Sequence, residues 1–270
     1  LLPILIHLFL LLQRVNGIQK INEKTMIGIQ RFHLKIFLLK KYNYQLIRER
    51  IMKIFFALSM FLFIGCTANQ DEWTILFDGN SVSHWRGFNQ ENFPFDGWAI
   101  ENGTLKTIVG GNKVDIITKQ VYKDFELVLE WKVSPAGNSG IFYFATEKGD
   151  YIWQSAPEMQ VLDNTAHHDG KKNTTSAGAL YDLIPPSVDV TKEVGKFNEA
   201  RVQVINNHVE HWLNGKKILE YDYGSNDLKD LIAKSKFASM ALFAKENTGH
   251  IGLQHHGEEV WYRNVRIRKL

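Results

Sequence analysis

Over 270 residues the chain carries 32 Lys/Arg and 29 Asp/Glu, a net charge of +3, with 44% apolar residues and a single cysteine. One cysteine excludes an internal disulfide, so any folded domain must stand on its apolar core. The basic balance is local: residues 1–65 hold ten Lys/Arg and two Asp/Glu, which leaves 22 against 27 in residues 66–270, a net −5 with no basic surface for nucleic acid.

The chain begins at Leu1, and residues 1–51 mix Ile, Leu, Lys, Phe and Asn without clear caps or paired strands. Lys and Arg interrupt them too often for a membrane helix, and they are read as an upstream extension of the translated frame. Residues 52–65 have the layout of an export signal: Lys53, an apolar run from Ile54 to Ile64, and the small Gly65 before Cys66. Phe63-Ile-Gly-Cys66 is similar to a bacterial lipoprotein cleavage box. The expectation is an exported lipoprotein, anchored in the membrane through lipid on Cys66 and facing the periplasm or the surface of a Gram-negative cell. A polar tether (residues 66–72) and one domain (residues 73–270) would follow.

From Trp73 the text turns to short alternating runs divided by Gly, Asn and Asp. Phe125, Leu127, Leu129, Trp131 and Val133 share one face of a strand. Residues 141–145, 159–162, 251–254 and 260–267 read as further strands. Residues 201–206 and 209–213 suggest a hairpin about Asn207-His208, and Asn214-Gly215 suggests a second, because both positions tolerate φ > 0. The one convincing helix spans residues 226–234, with Asn226 as its cap. Many strands and one short helix predict an all-β antiparallel sandwich. The long polar loops, residues 89–96 and 165–175, are where a site would sit.

Three clusters could carry chemistry. In the strand Pro157-Glu-Met-Gln-Val-Leu-Asp163, Glu158 and Gln160 share a face, a polar strip suited to sugar hydroxyls or proton transfer. The loop residues His167, His168 and Asp169 could hold Zn²⁺ or Mn²⁺, although the cluster alone reads more simply as a solvated turn. His208 and His211 are read as structural, His211 at most touching a ligand. The bend Gln254-His-His-Gly257, flanked by strands, gathers imidazoles, an amide and the Arg263 guanidinium at a sheet rim. No Gly-x-Ser-x-Gly, Gly-x-Gly-x-x-Gly or Walker-type loop occurs, and no facing carboxylate pair of the common glycosidase kind is visible.

Several separated motifs stand in a telling order: Leu76-Phe-Asp-Gly79, Gly137-Asn-Ser-Gly-Ile-Phe-Tyr143, Pro157-Glu-Met-Gln-Val-Leu-Asp163, Ala177-Gly-Ala-Leu-Tyr-Asp182, Val209-Glu-His-Trp-Leu-Asn-Gly215, Lys234-Ser-Lys-Phe237 and Gly249-His-Ile-Gly-Leu-Gln-His-His-Gly257. In this order residues 73–270 resemble the 3-keto-disaccharide hydrolase family, the 3-keto-glucoside 1,2-lyase/3-keto-2-hydroxy-glucal hydratase domains. The resemblance implies a concanavalin A-like jelly roll with sugar on its concave face. It also implies cleavage of a 3-keto-glycoside: a base removes the acidified C2 proton, and the enolate expels the C1 oxygen. For that chemistry the resemblance points to Glu158 or His256 as base. Gln160, Tyr181, Lys236, Gln254 and Arg263 would bind hydroxyls or the enolate, Trp153 would stack on a sugar ring, and His168 and Asp163 would be ligands if a divalent metal is the cofactor. The chain departs from the family's Gln-Asp-His-Gly at His255 and from its Phe-Arg-Asn at Tyr262. A non-catalytic carbohydrate-binding lipoprotein and a conventional glycosidase are the alternatives.

Overall fold

The computed structural model describes residues 72–270, together with helical residues 27–28, 31–32, 34–45, 47–48 and 52. The chain divides into two compact units, Leu1–Ala68 and Asn69–Leu270. Cys66, the export signal beyond Met52, and the tether before Glu72 lie outside the described residues. Among the described residues, no helix is long and apolar enough to cross a membrane.

Two antiparallel sheets form the second unit. The larger runs β11(Lys216–Asp222), β10(His208–Leu213), β9(Asn198–Ile205), β6(Phe125–Val133), β13(Val260–Lys269), β4(Thr104–Thr107), β3(Trp98–Glu101), with β1(Thr74–Phe77) also on β13. The smaller runs β2(Trp85–Gly87), β5(Ile116–Thr118), β12(His250–Leu253), β7(Asn138–Ala145), β8(Glu158–Leu162). This is the expected β-sandwich, with α1(Asn226–Ala233) its α-helix among residues 72–270. The alternating residues of β6 pack against Ile141 and Tyr143 of β7, Met159 and Val161 of β8, and Ile251 and Leu253 of β12, all buried.

Local chemistry sets the connections. The first hairpin turns on Asn206-Asn207 (φ 51° and 67°), one residue earlier than the sequence suggested, since two Asn tolerate the left-handed region and His208 is already paired with Ile205. The second turns on Asn214-Gly215 (φ 50° and 78°), as expected. The cap of α1 is Ser225, not Asn226: its Oγ accepts the Leu228 N–H at 3.1 Å.

Two buried polar contacts tie the layers. His211 Nδ1 lies 3.1 Å from the Gly178 carbonyl and so carries the proton, leaving Nε2 to accept from Tyr143 Oη at 2.9 Å. Burial pushes this imidazole down to about 4, so it stays neutral, and the ring belongs to the core. Ser139 Oγ donates to the Gln254 carbonyl at 2.6 Å, so Tyr262 Oη donates to Ser139. That second chain pins the backbone of Gln254 from behind.

Candidate active site

Strand register decides which side chains meet. On the outer face of the smaller sheet, Gln160 lies opposite Gly140 and Glu158 opposite Phe142. The backbone N–H of Gln254 bonds the Gly140 carbonyl. Gly140 leaves a gap that its neighbour fills: a Cβ there would fall 2.1 Å from Glu158 Oε1. The Glu158 carboxyl therefore lies flat over bare backbone between β8 and β12. Further along the same face Phe142 and Ile117 flank Gly252, where a Cβ would meet Ile152 Cδ1 at 2.4 Å. Ile152 is fully buried in a second small core with Phe88, Ile117, Phe142, Ala145 and Ala156. Burying such a side chain is worth about 1.5–3 kcal/mol, enough to anchor the turn between β7 and β8 and the Trp153 ring it carries.

A cavity of about 340 Å³ remains above β7 and β8. Asn138, Glu158, Gln160 and Gln254 line it from the sheet side, and His256 enters from the bend after β12. Asp169 and Tyr181 come from the loops after β8, and Lys236 with Phe237 and Met240 from the 3₁₀ turn that Ser235 caps. Lys236 Nζ sits 4.2 Å from the Tyr181 ring centre, a cation–π contact, and Tyr181 Oη donates to Asp169 Oδ2 at 3.3 Å. Trp153 stacks on Tyr151 at 5.3 Å and 11°. A larger depression of about 570 Å³ lies around Arg86 and Asn89, but Arg86 and Glu147 answer each other there through two 2.6 Å bonds.

The electrostatics single out Glu158. Burial, with smaller additions from the Asp115 and Asp169 charges, pushes its carboxyl up to about 8 against the pull of Lys236, so it holds a proton at neutrality. Asp115, just before β5, is raised by burial to about 7 although the His255 N–H donates to it at 2.8 Å. The amide of Gln160 gives its N–H to the Thr175 carbonyl at 3.3 Å and leaves a buried Oε1 unpartnered. A buried acceptor without a donor suits a ligand hydroxyl. His256 Nδ1 lies 2.7 Å from Glu258 Oε2.

Of the residues singled out in the sequence, Glu158, His256, Gln160, Tyr181, Lys236, Gln254 and Trp153 line this one cavity. Arg263 does not. It lies on β13 of the other sheet, forked to Glu130 at 2.6 and 2.9 Å and stacked on Phe197 at 3.8 Å. Asp163 is not a free ligand either: its two oxygens accept from the backbone of Ala136, Thr165 and Ala166 and from the Thr165 hydroxyl, which hold it well ionised against burial. His168 is exposed on the loop, 3.3 Å from Asp169.

Besides His208 with Glu210 and Glu220 on β10 and β11, two groups among the described residues bring three metal-binding atoms within 4.8 Å of one another, His167 with His168 and Asp169, and His167 with His256 and Glu258. Both depend on His167, whose Nδ1 accepts the Asp169 N–H at 3.2 Å. Its neutral ring then carries the proton on Nε2, 3.4 Å from the Asn138 amide. Turning that amide over would satisfy both this N–H and the orphaned Asn138 Oδ1. A cation would have to displace these bonds. The substituted His255 packs edge-on against Trp98 at 5.8 Å and does not line the cavity. Asn138 and Asp115 were not assigned site roles from sequence, and Asp169 was weighed only as a metal ligand; strand alternation from Gly140 was the available signal for Asn138.

A two-layer β-sandwich with a buried acid, three amides and an imidazole in one sugar-sized cavity is the architecture of a carbohydrate site. Residues 72–268 match the family described as the 3-keto-alpha-glucoside-1,2-lyase-like domain, and the chain belongs to that family. A protein of Bacteroides thetaiotaomicron named 3-keto-disaccharide hydrolase is 36% identical over 230 residues, 74% of this chain and 79% of that protein. Among solved structures, one candidate glycosyl hydrolase of Parabacteroides distasonis is 28% identical with a TM-score of 0.68, covering 76% of this chain and 98% of its own. A second from that organism is 27% identical with a TM-score of 0.59, covering 74% and 100%.

Proposed function

We propose that this protein cleaves the glycosidic bond of 3-keto-glycosides by elimination, with His256 as base and Glu158 as acid. The observation that carries the reading is the buried Glu158 carboxyl, pushed up to about 8 by that burial, in the same cavity as His256 and three amides. A ketone at C3 makes the C2–H acidic. His256 takes that proton, and the C–H electron pair becomes the C2–C3 enolate, whose charge lies on the C3 oxygen. The pair then forms the C1–C2 double bond as the C1–O bond breaks, and the leaving oxygen takes the Glu158 proton. Lys236 and the Gln160 and Gln254 amides supply positive charge and donors near the oxygens. Water adding back across the double bond would make the net reaction a hydrolysis, the activity in the name of the Bacteroides relative. Such chemistry has no need of the facing carboxylate pair of ordinary glycosidases.

The test is turnover of a 3-keto-glucoside and of its unoxidised parent by the purified chain, each with and without chelator. Cleavage of the keto form alone supports the reading. Cleavage of both forms would mean a conventional glycosidase, and binding without cleavage a carbohydrate-binding protein. Loss of activity with chelator would move His256 from base to metal ligand. The export signal and Cys66 further support an anchored lipoprotein, for which Cys66→Ser should release the protein from the membrane fraction and abolish incorporation of labelled palmitate.

A further inference from the structure

His256 is gripped from outside the cavity. The chain leaves the bend at Gln254–Gly257 and, just before β13 begins, brings Glu258 Oε2 to 2.7 Å from His256 Nδ1. Burial alone would raise the Glu258 carboxyl, but the contacts around it, the hydrogen bond from His256 foremost, hold Glu258 below the usual range. An ionised carboxylate has no proton to give, so the nitrogen facing it must be the donor. The neutral ring thus carries its proton on Nδ1 and its lone pair on Nε2, the nitrogen left for the cavity. His167 meets the same ring edge-on at 6.0 Å, and burial lowers the His167 imidazole, so that ring brings no positive charge against His256 at neutrality.

We propose that Glu258 is the positioning residue of this site: it fixes the ring orientation and the tautomer that lets His256 Nε2 accept a proton. Glu258 itself touches no substrate. The inference rests on His256 being the base, and it adds the group that makes it one. When the C2–H bond breaks and its electron pair enters the enolate, the proton lands on Nε2, and the imidazolium so formed sits beside the Glu258 carboxylate. The same contact that selects the tautomer therefore stabilises the charge that develops during reaction.

The test pairs spectroscopy with kinetics on the full chain. Two-bond ¹H–¹⁵N correlation of ¹⁵N-histidine protein, assigned with His256→Gln, should show the unprotonated nitrogen of His256 to be Nε2. In Glu258→Ala the ring should drift toward the Nε2–H tautomer that free histidine prefers, and kcat on a 3-keto-glucoside should fall at least about tenfold with KM little changed. Glu258→Gln, whose amide oxygen can still accept from Nδ1, should keep the tautomer and recover part of kcat. If Glu258→Ala does not fold, Glu258→Gln alone must still lower kcat while holding the tautomer. A wild-type ring protonated on Nε2, or a folded Glu258→Ala with tautomer and kcat unchanged, overturns the inference. The stated tautomer in a protein that cleaves no keto-glycoside would sink the proposed function and leave the positioning role standing.

Discussion

Replacing Glu158 by Gln exchanges a carboxyl whose protonation depends on the fold for a side chain that does not titrate. Burial is the main cause of its rise from the ordinary 4.5 to about 8, with Asp115 and Asp169 adding to it and Lys236 opposing. A carboxyl raised in the folded state binds its proton more tightly there than in the unfolded chain. Its contribution to stability is therefore complete below about 4.5 and is lost as pH climbs to about 8. At about 1.4 kcal/mol per pH unit, the loss reaches about 3 kcal/mol at pH 7 and levels off above pH 8. Glu158→Gln escapes it. The difference in unfolding free energy between variant and wild type should grow in the variant's favour by that slope, whatever its value at low pH. Urea unfolding followed by tryptophan fluorescence, at pH values from about 4 to about 9, measures it directly. Two curves that run parallel across that range would show Glu158 ionised at neutrality, and the acid would have to be sought elsewhere.

Three further outcomes follow from the geometry. Gly140→Ala places a Cβ 2.1 Å from Glu158 Oε1, so kcat should fall at least about tenfold for a stability loss of about 1–3 kcal/mol, read from steady-state kinetics and a thermal melt. Arg263→Ala removes a partly exposed ion pair with Glu130 far from the cavity; stability should drop by up to about 1 kcal/mol with kcat/KM unchanged, and a large kinetic effect would return Arg263 to the site. Asp163→Ala strips four hydrogen bonds from the loop after β8 and should cost about 2–4 kcal/mol in urea unfolding, a loss that added divalent cation does not restore.

What could be read from the chain was whatever depends on near neighbours. The period-two run of β6 appears in the structure with the same ends, because one apolar face and five large side chains leave no other register. Glu158 and Gln160 were found together for the same reason, as alternate residues of one strand. Asn206-Asn207 was missed by one position because Asn and His are both tolerable turn residues, and only the β9–β10 ladder decides between them. Arg263 was misplaced because its motif follows His256 within a few residues, yet β13 crosses to the other layer before the side chain projects. Asp163 fails the alternation of β8 because the strand ends at Leu162 and the loop folds onto the carboxylate. Asp115 and the bare patch at Gly140 depend on which strands lie side by side, a pairing that no local pattern encodes.

Gly140 and Gly252 share a trait with consequences for how this cavity can change. At these two positions the central strands grow no side chain into the space above; that space is occupied by Glu158 from the edge strand and by Ile152 from the turn leading into it. The filling above these two glycines thus comes from one contiguous stretch, residues 152–160, laid over a smooth foundation, while the loops supply most of the rest of the chamber wall. Remodelling it asks for substitutions in a segment at the margin of the sheet, while the strands that carry the sandwich need not move.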